Sequence, residues 1–256
     1  MRHRVFIETS VLVSASIYAA SEKTPVKLKH PFFDECSDLF GLIRKHKLKR
    51  LGISTMVVQD EANGVLEKAI IRQLESEKYP REKWFEVMSF LLSTCGDRMR
   101  ELSGLLQWEP VDEKDAEEIY KKVLATYLDL RQEAAFADPA GDANFKAKLA
   151  PGPLRRIASS IYKKQEVQEN LQLLSLLRGF PSEKDLRILS DAIHLLRHYK
   201  GVGEATQMFL ASCDTLLSPK RLRNGGYSNK VTKRILQDYD LECAWPHQIC
   251  LNLTGL

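Results

Sequence analysis

The chain has 256 residues, 44% hydrophobic and 28% charged, with 38 Lys+Arg against 34 Asp+Glu and a net charge of +4. A chain this long buries roughly 75% of its unfolded surface, and its ordinary charge density excludes a disordered or fibrous protein. The small net charge permits a polyanionic partner without requiring one, so the placement of the charges carries the argument.

Five cysteines (Cys36, Cys95, Cys213, Cys243, Cys250) are scattered with no C-x-x-C or zinc spacing, which argues against a disulfide framework and for a reducing cytoplasm. No apolar run reaches the ~18 residues of a membrane helix. The start, MRHRVFIETSVLVSASIYAAS, imitates a signal peptide, but Glu8 interrupts its apolar middle.

In chain order, Arg4-Val5-Phe6-Ile7 reads as a strand, and Thr9 or Ser10 caps a helix running to Ala20. A helix follows from Phe32 to Lys47, then a short strand-like run, Arg50 to Ser54, then a long helix from Thr55 to about Glu77. From Lys78 to Phe180 the strand signal disappears and amphipathic segments at 80–103, 112–136, 142–149 and 155–178 take its place. Asp185 to Lys200 is a helix, Met208 to Ser212 a strand, Leu241 to Ala244 a last strand, and Pro246 opens a terminal helix. Alternating strand and helix predict an α/β domain with a mainly parallel sheet, formed by 1–77 and 180–256 and interrupted by an all-helical insertion at 78–179.

Four carboxylates occupy special places. Glu8 and Asp214 each follow a strand run, and ligands of open parallel sheets bind beyond the strands' carboxyl ends. In the helix after Thr55, Val58, Ala62, Val65 and Ala69 form a stripe; Glu61 lies on its edge and Asp60 on the far side. In the later helix, Leu189, Ala192 and Leu196 form a stripe that Asp185 joins one turn earlier, while Asp191 and His194 fall off it. Each acid alone serves equally well as a cap or a partner of the helix dipole, worth about 0.3–1 kcal/mol. Together they sit at one edge of the sheet, where unit charges about 4 Å apart repel by roughly 4 kcal/mol at an effective dielectric near 20. Protonation or a divalent cation must relieve this, and an all-oxygen set points to Mg²⁺ or Mn²⁺. The chemistry of such an ion is phosphodiester hydrolysis.

Four segments now carry a resemblance: Val5-Phe6-Ile7-Glu8-Thr9-Ser10-Val11-Leu12; Ile53-Ser54-Thr55 through Glu61-Ala62; Asp185 with Ile188 and Ala192; and Ser212-Cys213-Asp214. In this order they resemble the PIN-domain family of metal-dependent ribonucleases, which includes toxins of prokaryotic toxin–antitoxin pairs. Trp245-Pro246-His247-Gln248 stands where that family has a proline before its final helix. The resemblance covers about 1–75 and 180–256 and implies a three-layer α/β/α fold. It implies that Glu8, Glu61, Asp185 and Asp214 hold the metal and perform catalysis, and that Ser10 and Ser212 orient ligands or water. The family's first acid is usually Asp, and Glu8 is one methylene longer. Counting from Ser54 instead of Thr55 selects Asp60 as the second acid; the stripe favours Glu61.

Lys220, Arg221, Arg223, Lys230, Lys233 and Arg234 follow Asp214 with no acid until Asp238, a stretch suited to phosphate contacts, and Tyr227 among them can stack a base. The same charges also suit a solvated face. Gly201-Val202-Gly203 imitates a helix-hairpin-helix, but a strand follows where the second helix belongs, so Gly201 reads as a helix C-cap and a flap-type DNA nuclease is disfavoured. Cys213 has no His placed to activate it and reads as a small strand residue. The expectation is an Mg²⁺/Mn²⁺-dependent endoribonuclease acting on single-stranded or structured RNA. Its insertion would serve as a substrate clamp, a protein-partner surface or a homodimer interface. The alternative is a catalytically idle PIN-like scaffold for RNA binding or assembly.

Overall fold

The computed structural model describes residues 3–21, 33–46, 51–137, 181–204, 207–214, 217, 220–221, 227–228 and 230–254. Strand β1 (His3–Ile7) lies at the centre of a five-stranded sheet with β2 (Gly52–Ser54), β3 (Gln107–Trp108), β4 (Gln207–Ala211) and β7 (Glu242–Ala244), in the order β3-β2-β1-β4-β7. Every pairing is parallel. Strands buried on both faces read as unbroken apolar runs, and Val5, Phe6 and Ile7 are fully buried. Two short strands, β5 (Lys220–Arg221) and β6 (Tyr227–Ser228), form a separate antiparallel pair.

The helices are α1 (Thr9–Ser21), α2 (Phe33–Lys45), α3 (Met56–Ser76), α4 (Trp84–Ser103), α5 (Glu113–Ala137), α6 (Glu183–Gly201), α7 (Lys230–Tyr239) and α8 (Pro246–Thr254). Helix α1 packs against α2, α3 and α4, and α2 also meets α8. On α5 pack α6 and α7, and α3 touches α6. Helix α1 is apolar almost all round and is buried accordingly, with the Ser16 hydroxyl satisfied by the Leu12 carbonyl at 2.7 Å. Helix α3 buries Val58, Ala62, Leu66, Ile70 and Leu74 at four-residue intervals. Gly52 lets α2 and the residues before β3 close over β2: a Cβ there would lie 2.9 Å from Ile43 and from Leu106.

Three features differ from the sequence expectation. Within the stretch expected to hold helices alone, Gln107–Trp108 forms β3 and extends the sheet, and two residues are too few to show a strand period. Helices α4 and α5 of that stretch pack on α1 and α6, as part of the α/β unit; the segments expected at 142–149 and 155–178 lie outside the described residues. Finally, the glycine that terminates α6 is Gly203 instead of Gly201. Gly203 takes φ +69°, its N–H donates to the Lys200 carbonyl, and the Glu204 N–H donates to that of Tyr199, a Schellman closure.

Candidate functional site

Chain order runs outward from β1 to β3 on one side, and β4 and β7 occupy the other, so the order reverses between β1 and β4. A crevice at such a reversal, beyond the carboxyl ends, is where open α/β sheets bind ligands. Glu8 ends β1 there, and Ser212, Cys213 and Asp214 follow β4.

Glu8 is buried, with 4% of its surface exposed. Its backbone carbonyl accepts from Val11 and Leu12 and its carboxylate accepts from the Ser10 N–H at 3.0 Å, so it caps α1. Glu8 Oε2 also accepts from the hydroxyls of Ser10 and Ser212, the latter at 3.1 Å. Those hydroxyls in turn accept from the N–H groups of Cys213 and Asp214, each at 3.0 Å. One carboxylate and two serines thus lace the end of β1 to the end of β4. Burial still raises the Glu8 pKa to about 7 against these bonds, and the charge of Asp185 adds to the rise. Ionising it costs about 3 kcal/mol more than in water.

Glu61 is half-buried on α3 and accepts from the Thr9 hydroxyl at 2.9 Å, whereas Asp60 is exposed; the geometry brings Glu61 to the crevice wall and leaves Asp60 in solvent. Asp185 stands in the first turn of α6 in a capping box: its carboxylate accepts from the Ser182 N–H at 2.7 Å, and its own N–H donates to Ser182 Oγ. Its pKa is raised, chiefly by burial, with the charges of Asp214 and Glu61 adding and the Ser182 bonds opposing. Asp185 therefore stands within electrostatic reach of the other three acids expected from sequence, its charge acting on Glu8 and those of Asp214 and Glu61 acting on it. As the side chains lie, however, no three His, Cys, Asp or Glu among the described residues stand close enough to hold a metal ion. The donors fit a hard divalent cation in chemistry, being oxygens throughout, and their spacing would have to tighten around one.

Asp191 departs from its sequence reading, and Tyr127 is a residue that the sequence did not single out. Asp191 does not point away from the core: it is buried, accepts from the Thr55 hydroxyl at 2.7 Å, and burial raises its pKa to about 6. Helix α6 has no single apolar stripe, being buried nearly all round from Leu186 to Leu196, and the near-continuous apolar run around Asp191 is the sequence signal of this. Tyr127 on α5 is also buried, and its pKa is raised by burial first, then by Cys243, Asp185 and Asp214, which puts α5 beside the acids.

Of the basic residues, Lys220 and Arg221 lie in β5, paired with Ser228 and Tyr227 of β6. Arg223 lies outside the described residues. Lys230 opens α7, and Lys233 and Arg234 are exposed on it, with Arg234 paired to Asp238 at 2.8 Å.

Compared with family models, curated proteins and solved structures, the chain matches none. No helix among the described residues is long and apolar enough to cross a membrane.

Proposed function

We propose that the chain is a PIN-like, three-layer α/β/α, metal-dependent endoribonuclease that hydrolyses RNA phosphodiester bonds at the crevice between β1 and β4. The observation that carries this reading is the convergence of Glu8, Glu61, Asp185 and Asp214 on that crevice, close enough for their charges to raise Glu8 and Asp185. A bound Mg²⁺ or Mn²⁺ would supply Lewis-acid activation of water and charge stabilisation on the phosphoryl oxygen. The chain's own residues orient the donors: Ser10 and Ser212 hold Glu8, Thr9 holds Glu61, and Ser182 holds Asp185. The basic stretch after Asp214, with Lys233 and Arg234 exposed on α7, supplies phosphate contacts. A protein partner or second copy is assigned to 78–179, where α4 exposes Phe85 and Phe90.

A second reading, an idle scaffold that binds RNA or assembles complexes, draws on the open spacing of the acids and on the hydroxyls that already occupy Glu8. Cleavage of single-stranded RNA with Mn²⁺ separates the two. The nuclease reading expects cleavage by wild type and a loss of about 10²-fold or more in Asp214→Asn, the scale of removing a transition-state charge stabiliser. RNA binding without cleavage in wild type, weakened by Lys233→Ala with Arg234→Ala, would support the scaffold.

A further inference from the structure

Cys36 in the first turns of α2 is fully buried, and its sulfur lies 3.3 Å from that of Cys213, 177 positions along the chain. Both are free thiols, and Cys213 is half-buried, open to a small reagent. A disulfide needs about 2.05 Å between the sulfurs, so closure asks for little more than an ångström of side-chain movement. Cys95 and Cys243 are buried free thiols, and Cys250 is a half-buried one. The Cys36–Cys213 pair joins α2 to the loop that carries Asp214, at a point where the Cys213 N–H already donates to Ser10 and Ser10 to Glu8.

We propose that Cys36 and Cys213 form a reversible disulfide when the chain meets a peroxide, tethering the Asp214 loop to α2. Peroxide oxidises the accessible Cys213 to a sulfenic acid and leaves as one water; the Cys36 sulfur then attacks the Cys213 sulfur, and the hydroxyl departs with the Cys36 proton as a second water. Two thiols and one peroxide become one disulfide and two waters, with two electrons passing to the peroxide. A dithiol reductant reverses it by exchange. Such a bond belongs to the transient, redox-sensing class, in keeping with a chain that has no disulfide framework. Its consequence for the crevice rests on the nuclease reading: a bond to α2 at Cys213 restrains the backbone that carries Asp214 and whose N–H holds Ser10 beside Glu8, so it cannot adjust around a cation.

The test treats the full chain with hydrogen peroxide, maps its peptides by mass, and measures Mn²⁺ binding and RNA cleavage on the same samples. The expected result is a Cys36–Cys213 linkage with the loss of two hydrogens, removed by dithiothreitol and absent from Cys213→Ser. Mn²⁺ affinity and cleavage should both fall about tenfold in the linked form, a typical coupling between sites. Finding Cys36 and Cys213 still alkylatable after oxidation, or linked to other cysteines, overturns the pair. A linkage that leaves Mn²⁺ binding and cleavage unchanged overturns its control of the crevice. A reduced chain that neither binds Mn²⁺ nor cleaves RNA overturns the nuclease reading instead, and the mass map still decides the thiol pair.

Discussion

The two edges of one sheet handle charge in opposite ways. At the amino edge, Arg4 is buried at the start of β1 and is compensated: its guanidinium lies 3.5 Å from Glu204 and stacks 5.1 Å above the Tyr199 ring. Gln207 and Glu242, opening β4 and β7, share a hydrogen bond at 3.1 Å. At the carboxyl edge the buried groups are acids held by hydroxyls and backbone N–H groups, and their mutual repulsion raises Glu8 and Asp185 further. A fold seeking only stability would pair or remove those carboxylates, because an unneutralised buried charge is costly. The amino edge therefore pairs its buried cation, whereas the carboxyl edge gathers like charges, as the proposed cation site requires.

The sharpest way to break the comparison is Asp185→Asn. It should lower cleavage about 10²-fold while raising Tm in chelator at pH 7.5, because a repelling charge is gone; a lower Tm would make Asp185 only a capping residue.

Next in size is the pH dependence of Glu8. Its folded pKa, about 7, lies above the ordinary 4.5, so the folded chain holds a proton that the unfolded chain has released. Stability therefore falls as pH rises from about 4.5 to 7, by about 3 kcal/mol from this group alone. Denaturant melts in chelator should show that slope, and Glu8→Gln should flatten it. Mn²⁺ should stabilise wild type more at pH 7.5 than at pH 5, where protons compete for the ligands. A pH-independent melt would refute the buried, acid-strained edge.

Arg4→Ala tests the opposite edge. It should cost about 2 kcal/mol in denaturant unfolding, through the lost packing and cation–π contact with Tyr199, because Glu204 is half-exposed and stays solvated, and leave Mn²⁺ affinity unchanged. Asp191→Ala should cost about 2 kcal/mol by stranding the Thr55 hydroxyl, whereas Asp191→Asn keeps an acceptor there and should cost less. Asp60→Asn, at an exposed position beside Glu61, should stay within about 0.5 kcal/mol and change no activity.

Most of the architecture is legible in the chain because the strands that build the switch point are unbroken apolar runs. Val5-Phe6-Ile7 and Met208-Phe209-Leu210 announce themselves, and an acid after each is visible without coordinates. Glu61 was separable from Asp60 because α3 shows one buried stripe to a solvated face. The burial of Asp191 is not legible because α6 has no such single stripe, and β3 is not because two residues have no period. The glycine that closes α6 lies two residues beyond the one the sequence suggests, because either glycine can supply a left-handed turn and only the hydrogen bonds select Gly203. Nothing local could announce the Cys36–Cys213 contact, since it exists only once α2 has packed near the end of β4.

The central claim is that four separate acids form one cation site, and calorimetric titration of Mn²⁺ into wild type, Asp214→Asn and Asp60→Asn tests it most directly. The account predicts one binding transition in wild type with proton release near pH 7, its loss in Asp214→Asn and its retention in Asp60→Asn. Wild type that takes up no Mn²⁺ at millimolar concentration, or Asp214→Asn that binds as wild type does, would contradict it.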